Sequence, residues 1–539
     1  MHIRHSFFAG VSAFMFMAPM AKAQDIVYST DYVVEVGKPY PVIDGAKRYF
    51  NAENAVICVK NEGRRWFVQK LSSQGLDQIS MKQYDDMPDG MAEEYVGYFG
   101  KRLMVFYSVW DKPNEREQLF YREIDTQAGA FLGKGERILA INGKVTGSLA
   151  ASGFYRFHVT DKFDFIFSAD ESKLVVQYVR KRDKKKDDTK VNELSVAVFN
   201  DDMTMEWTAD IRLPYEDNKM SIRDYTIDAN GDICIVANVY TGMAEKAKER
   251  KDEDWQYEFL RCSGQGVNWD VTPLSIPDRT LMSLSIFEDE TGALRAAGFY
   301  RKNKDQFGAD GIFVCAFSAS DDISELEFHE IPTELINMYV AKREAKRNAK
   351  EEDEGEDLGF SFLELSRVLT DTDGSMLLIG EKRYTTVECS TDSRGNTRCY
   401  TVWHADDMLV CSLDAKGALA WMKRIPKRHA SRMPIATSYK YMYGGGAHHF
   451  IRFDEGDNLD IKPDEIPGSR GKTVIMSDRL DEVSGEVVRS AILDPEEVNG
   501  IRLYQLSLDR LVRVGDAEML MEAYIKGKED VLIRIAVKE

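Results

Sequence analysis

The chain reads as an all-β protein built as a single β-propeller. Three observations predict this. One strand-turn-strand phrase recurs, as IDANGDICIVANVY at 227–240, FEDETGALRAAGFY at 287–300, TDTDGSMLLIGEKRY at 370–384 and RVGDAEMLMEAYIKGKEDVLIRI at 513–535. In three of these four cases a second strand-turn-strand unit follows and ends on a proline, as in DMLVCSLDAKGALAWMKRIP. Period-2 alternation, with β-branched and aromatic enrichment, dominates from residue 24 to 539. A repeated unit of about four short strands is the signature of propeller blades.

The N-terminal residues stand apart from this pattern. Arg4 and His5 precede an apolar stretch, FFAGVSAFMFMAPM, and Ala21-Lys22-Ala23 forms an A-x-A site. Residues 1–23 are therefore expected to be a signal peptide and 24–539 the propeller. Gln24 rather than a cysteine follows the site, which argues against a lipid anchor. No other apolar run approaches the roughly 18–20 residues of a membrane helix. The expected product is an exported protein, periplasmic or extracellular, with no transmembrane segment.

Eight four-strand segments follow, at about 44–86, 91–142, 152–216, 220–278, 280–333, 360–427, 435–495 and 499–539. The first, second and seventh rest on strand count more than on wording, so seven blades is the alternative. The last segment lacks a fourth strand. Residues 25–36, DIVYSTDYVVEV, are expected to supply it and close the ring, because open sheet edges invite aggregation. Asp228–Gly231, Asp371–Gly374 and Asp414–Gly417 read as tight turns, with Asp capping and Gly at positive φ. Trp207, Trp269 and Trp421 recur after the third-to-fourth strand turn and are expected to fill gaps between blades.

The net charge of −19, which becomes −21 once Arg4 and Lys22 are removed, argues against nucleic-acid and anionic-lipid partners. Seven cysteines are too few for a disulfide scaffold in a chain of this length. Cys58, Cys234, Cys315 and Cys411 lie inside apolar strand segments and read as core packing. Cys389 and Cys399 flank STDSRGNTR between two strand-like segments. They form either a hairpin-closing disulfide or a free pair, since spacing does not give Cβ geometry.

Insertions are distributed asymmetrically. Successive strands alternate direction, so the second-to-third strand loops and the crossovers between blades open on one face. The long insertions at 180–192, 241–255, 301–310 and 455–472, the Cys389–Cys399 ribbon, and the crossover at 334–359 all belong to that face. Residues 334–351 are expected to form a helix ahead of an acidic exit. Aromatic groups at the bases of these insertions, Tyr240, Trp255, Tyr300, Tyr384 and Trp403, are the candidate contacts for a protein or glycan partner.

The sequence contains no nucleophile elbow, H-E-x-x-H, C-x-x-C, P-loop or dinucleotide fingerprint. His448 and His449 are adjacent in a strand and face opposite sides, a poor arrangement for joint metal binding. No catalytic residue, metal site or cofactor is expected. DAKGALAW at 414–421 resembles the tryptophan-docking repeat of eight-bladed quinoprotein dehydrogenases. The chain has neither a vicinal cysteine pair nor a calcium-ligand set of the kind those enzymes use. The wording D-x-D-G…G-E-K-R-Y, followed by DDMLVCSLDAKGALAWMKRIP, resembles secreted, uncharacterised β-propeller proteins of the Bacteroidota type. That resemblance covers about 220–430 and implies no activity. The expectation is a binding or assembly module acting through its long-loop face. The alternative is a carbohydrate-active hydrolase or lyase with carboxylates at the channel mouth.

Overall fold

The computed structural model describes residues 26–145, 162–180, 191–216, 219–240, 255–274, 276, 278–302, 308–318, 320–354, 358–391, 394–432, 438–468, 471–504 and 507–538. The expected signal segment 1–23 and most of the insertions at 180–192 and 241–255 lie outside the described residues.

Among the described residues the protein is all-β and propeller-like. Its strands form eight antiparallel sheets of four or five strands. Sheets 1 to 7 occupy 46–84, 92–142, 163–216, 220–274, 280–330, 363–431 and 440–493, and their main strands pair in chain order. Sheet 8 combines Leu511–Gly515, Glu518–Ile525 and Glu529–Val537 with the N-terminal strand Tyr32–Val36. The register there runs from Tyr32↔Val537 to Val36↔Ile533. The preceding residues, expected in the same strand, instead lie against sheet 7, where Tyr28 bridges Ala491.

Burial explains the strand wording. The second or third strands Ile233–Tyr240 and Gly311–Phe317 are buried along nearly their whole length, because both faces meet a neighbouring sheet. The outer strands Gln78–Tyr84 and Asn268–Leu274 alternate exposed and covered positions. The main hydrophobic clusters each join two consecutive sheets, from Val59 with Val105 between sheets 1 and 2 to Met521 with Ile475 between sheets 7 and 8. A further cluster places Leu520 and Leu532 of sheet 8 against Val56 and Leu71 of sheet 1.

Turns and tryptophans follow their local chemistry. Asp228 Oδ1 accepts from the backbone N–H groups of Asn230 and Asp232, and Gly231 takes φ of 83°. Asp289 and Asp414 cap equivalent turns in the same way. Trp421 Nε1 donates to the Glu482 carbonyl of sheet 7 at 2.9 Å, and Trp269 Nε1 donates to the Arg212 carbonyl of sheet 3 at 3.1 Å. Both rings therefore bridge to a neighbouring sheet.

Ion pairs also cross sheet junctions. Glu522 of sheet 8 accepts from Lys47 Nζ at 2.8 Å, Lys60 Nζ at 2.7 Å and the Tyr40 hydroxyl at 2.7 Å. Burial alone would raise this carboxyl, but Lys60 and Lys47 reverse the direction and hold it well below the usual carboxylate range. Burial and the Glu522 charge push its neighbour Asp530 upward.

The helix expected over 334–351 is broken. It divides into α1 (Thr333–Asn337) and α2 (Lys342–Asp353). Tyr339 takes φ of 59° and donates its N–H to the Pro463 carbonyl at 2.6 Å. Arg424 Nη1 donates to the carbonyls of Leu335 and Ile336 at 2.8 Å, satisfying the end of α1 and removing the advantage of continuing it. No helix among the described residues is long and apolar enough to cross a membrane.

Candidate functional site

The strands Met376–Thr391 and Thr397–Leu413 run past the body of sheet 6 as a two-stranded ribbon. The Cys389–Cys399 pair is disulfide-bonded near its tip. At the ribbon base the register places Tyr384 opposite His404 and Thr385 opposite Trp403. Cross-strand partners share a face, so Tyr384 and His404 point one way and Trp403 the other. The two rings stack with centroids 4.4 Å apart at 3°. Phe362, at the start of sheet 6, adds a third ring at 5.3 Å from Tyr384 and is 54% exposed.

The Tyr384 hydroxyl leads from this aromatic stack into a polar cavity by donating to Asp406 Oδ2 at 2.9 Å. The cavity measures about 130 Å³ and is lined by Tyr339, Glu344, Lys382, Asp406, Arg428 and Ile466, among others. Its roof is the break between α1 and α2, and the loop after Glu455 supplies Ile466. Asp407 is bound to Arg424, with Arg424 Nε donating at 3.0 Å, and also accepts the Lys427 N–H at 3.0 Å. Its neighbour Asp406 is free of such commitments on one side. Asp406 Oδ1 is buried and has no hydrogen-bond partner among the described residues. Burial pushes the Asp406 carboxyl up, the Tyr384 hydroxyl pulls it down, and the Asp407 charge adds to the rise. Burial and the Asp406 charge push the Tyr384 phenol up to about 12, so it remains a donor at neutral pH.

Beneath the cavity lies a buried ionic layer. Lys427 Nζ donates to Glu381, which also accepts from Arg383 Nε at 2.5 Å and Ser438 Oγ at 2.9 Å. Glu364, the cross-strand partner of Glu381, sits on the first strand of sheet 6. Burial raises its carboxyl to about 7, with Arg383 opposing and Glu381 adding to the rise.

The five aromatic candidates separate. Tyr384 belongs to the stack. Trp403 is 38% exposed on the opposite face of the ribbon. Tyr240 and Trp255 are backbone partners in sheet 4, away from the cavity. Tyr300 is a correction to the sequence reading: it is 0% exposed. Its ring packs edge-on against Phe328 at 5.1 Å with the Arg279 guanidinium over it. Gly311 opposite makes room for it, since a Cβ there would lie 2.5 Å from the Tyr300 ring. Phe362, Asp406 and the cavity cations were missed from sequence. The available signal was the Asp406-Asp407 pair immediately before the apolar run Met408–Cys411, together with a phenylalanine immediately before the first strand of sheet 6. His448 and His449 diverge as expected, with Nδ1 atoms 2.9 Å and 2.8 Å from the hydroxyls of Tyr441 and Tyr32 respectively. Among the described residues, no three His, Cys, Asp or Glu side chains are placed to hold a metal ion.

No family model and no curated protein matches the chain. Its likeness to solved structures is distant. An uncharacterized protein lmo1340 from Listeria monocytogenes is 6% identical, with 90% of this chain and 97% of that one covered at a TM-score of 0.33. An alpha-L-arabinanase from Penicillium chrysogenum, complexed with arabinobiose, is 14% identical, with 72% and 99% covered at 0.31. Synechocystis apocarotenoid oxygenase is 8% identical, with 72% and 74% covered at 0.31. Likenesses this distant assign neither ligand nor activity to this chain.

Proposed function

We propose that the protein is an exported eight-bladed β-propeller, closed by the strand Tyr32–Val36, that binds a saccharide between the Phe362–Tyr384–His404 aromatic stack and the cavity at Asp406. The ring reading is supported by the hydrophobic clusters between consecutive sheets and by the cluster joining sheet 8 to sheet 1. The basic-apolar-small pattern of residues 1–23 supports export.

The observation that carries the binding reading is the hydrogen bond from Tyr384, within an open aromatic stack, to Asp406, whose other oxygen is buried without a donor. An exposed aromatic face suits the C–H face of a sugar ring, and an unpartnered buried carboxylate oxygen suits a ligand hydroxyl. A cleft of about 130 Å³ has room for at most one sugar unit. A standard protein partner would instead need about 800 Å² of each surface.

The test is a glycan array followed by calorimetric titration of the best hit. Phe362→Ala and Asp406→Asn are each expected to weaken binding about tenfold or more, with the unfolding transition retained. Unchanged affinity in both variants overturns the assignment of this site.

A further inference from the structure

A second cavity lies where first strands converge. It measures about 210 Å³, and its walls come from four consecutive sheets around the ring: Arg367 of sheet 6, Tyr439, Lys440 and Tyr441 at the start of sheet 7, Arg513 of sheet 8 and Tyr49 of sheet 1. It is separate from the cavity at Asp406 and shares no lining residue with it, so its chemistry is independent of saccharide binding there.

Its charge runs against that of the molecule. The chain carries −19 overall, yet this cavity has Arg367, Lys440 and Arg513 against one carboxylate, Asp509. Arg513 is partly committed, donating to Asp516 Oδ1 at 2.8 Å and to the Gly515 carbonyl at 3.1 Å. Arg367 and Lys440 form no ion pair among the described residues. Beside the cavity, Arg510 has a buried Nη1 with no acceptor among the described residues, and its charge acts on Tyr49. Burial, reinforced by Arg367, lowers the Lys440 ammonium, with Asp509 opposing.

The neutral polar groups are already used. The Tyr441 hydroxyl lies 2.9 Å from His448 Nδ1, the Tyr439 hydroxyl lies 3.1 Å from Ser366 Oγ, and the Tyr49 hydroxyl donates to Glu522. The phenols therefore offer mainly ring surface, and the cations are the groups left to donate. Leu511, Val512 and Met519 complete apolar walls that strengthen the local field. We infer that this central cavity is a binding site for a small oxyanion, a molecule bearing a carboxylate or phosphate, held by Arg367 and Lys440. Its volume is below the roughly 300–1,000 Å³ of drug-sized ligand pockets, which restricts the ligand to a compact one.

The experiment is calorimetric titration of the whole protein at low ionic strength and pH 7. The probes are inorganic phosphate and D-glucuronate, with D-glucose as the uncharged control. Saturable binding of at least one anion and none of glucose is expected, weakened about tenfold or more by Arg367→Ala and by Lys440→Met. Arg64→Ala, exposed on sheet 1, is the charge control and should leave affinity unchanged. Preference for phosphate over glucuronate, or the reverse, distinguishes the two oxyanions. If Lys440→Met does not fold, Arg367→Ala decides alone, because Arg367 is exposed. The assignment is overturned if neither anion binds, if glucose binds equally well, or if the folded variants bind as the parent does.

Discussion

Lys60 Nζ lies 2.7 Å from Glu522 Oε1, and the two fully buried side chains tie the first sheet to the last across 462 residues of sequence. The same carboxylate accepts from Lys47, which also donates to Asp530 at 2.7 Å, so Glu522 is the acidic partner shared by both buried ammonium groups. Removing it strands Lys60 and leaves Lys47 with Asp530 as its remaining acidic partner. Glu522→Ala is expected to cost about 3–5 kcal/mol in a urea-unfolding titration, well above the cost of an exposed ion pair.

That cluster also sets an acid limit. Lys60 and Lys47 hold the Glu522 carboxyl below its ordinary 4.5 despite burial. A depressed folded-state value contributes stability above the unfolded value and loses it as pH falls toward the folded one. Stability should therefore decline as pH drops below about 4.5, and Glu522→Gln should flatten that decline in melting curves collected from pH 6 to pH 3.

Glu364 works in the opposite direction. Burial raises its carboxyl from 4.5 to about 7. The folded state holds this proton more tightly than the unfolded chain does, so the contribution is complete below 4.5 and is lost as pH rises through 7. Glu364→Gln should narrow the difference between the melting temperatures at pH 5 and pH 8. An unchanged difference would show that Glu364 ionises at its ordinary value.

Trp421 couples sheets 6 and 7 through ring burial and one hydrogen bond to the Glu482 carbonyl. Trp421→Phe should remove the bond and cost about 1 kcal/mol, and Trp421→Ala should cost about 3–5 kcal/mol. Denaturant midpoints of the two variants separate the polar and packing contributions.

The Cys389–Cys399 bond closes the end of a ribbon with few buried side chains. Its reduction should act locally. Dithiothreitol is expected to leave the global unfolding midpoint nearly unchanged while exposing 389–399 to protease, followed by mass mapping of the cleavage site.

Much of the scaffold was legible because its determinants are local. The Asp228–Gly231 turn needs one acceptor side chain and one residue at positive φ, both visible in four letters. The apolar strand ICIVANVY shows no alternation because both its faces are covered. Residues 334–351 had helix-forming composition throughout, but their break comes from Pro463 and Arg424, which are distant in sequence. Tyr300 and Tyr384 follow equally apolar strands. One is sealed by Phe328 and Arg279, whereas the other stacks beside the exposed Phe362.

By itself the sequence determined the all-β class, the strand groups, their capped turns and the aromatic packing that repeats with them, since periodicity and turn chemistry act over a few residues. Only the tertiary structure decided which aromatics stay open, which charges are buried in pairs, and which cations face a cavity without an ion-pair partner among the described residues. Those properties depend on side chains from different sheets meeting. Glu522 with Lys60, Asp406 with Tyr384, and Arg367 with Lys440 acquire their chemistry from what surrounds them in space.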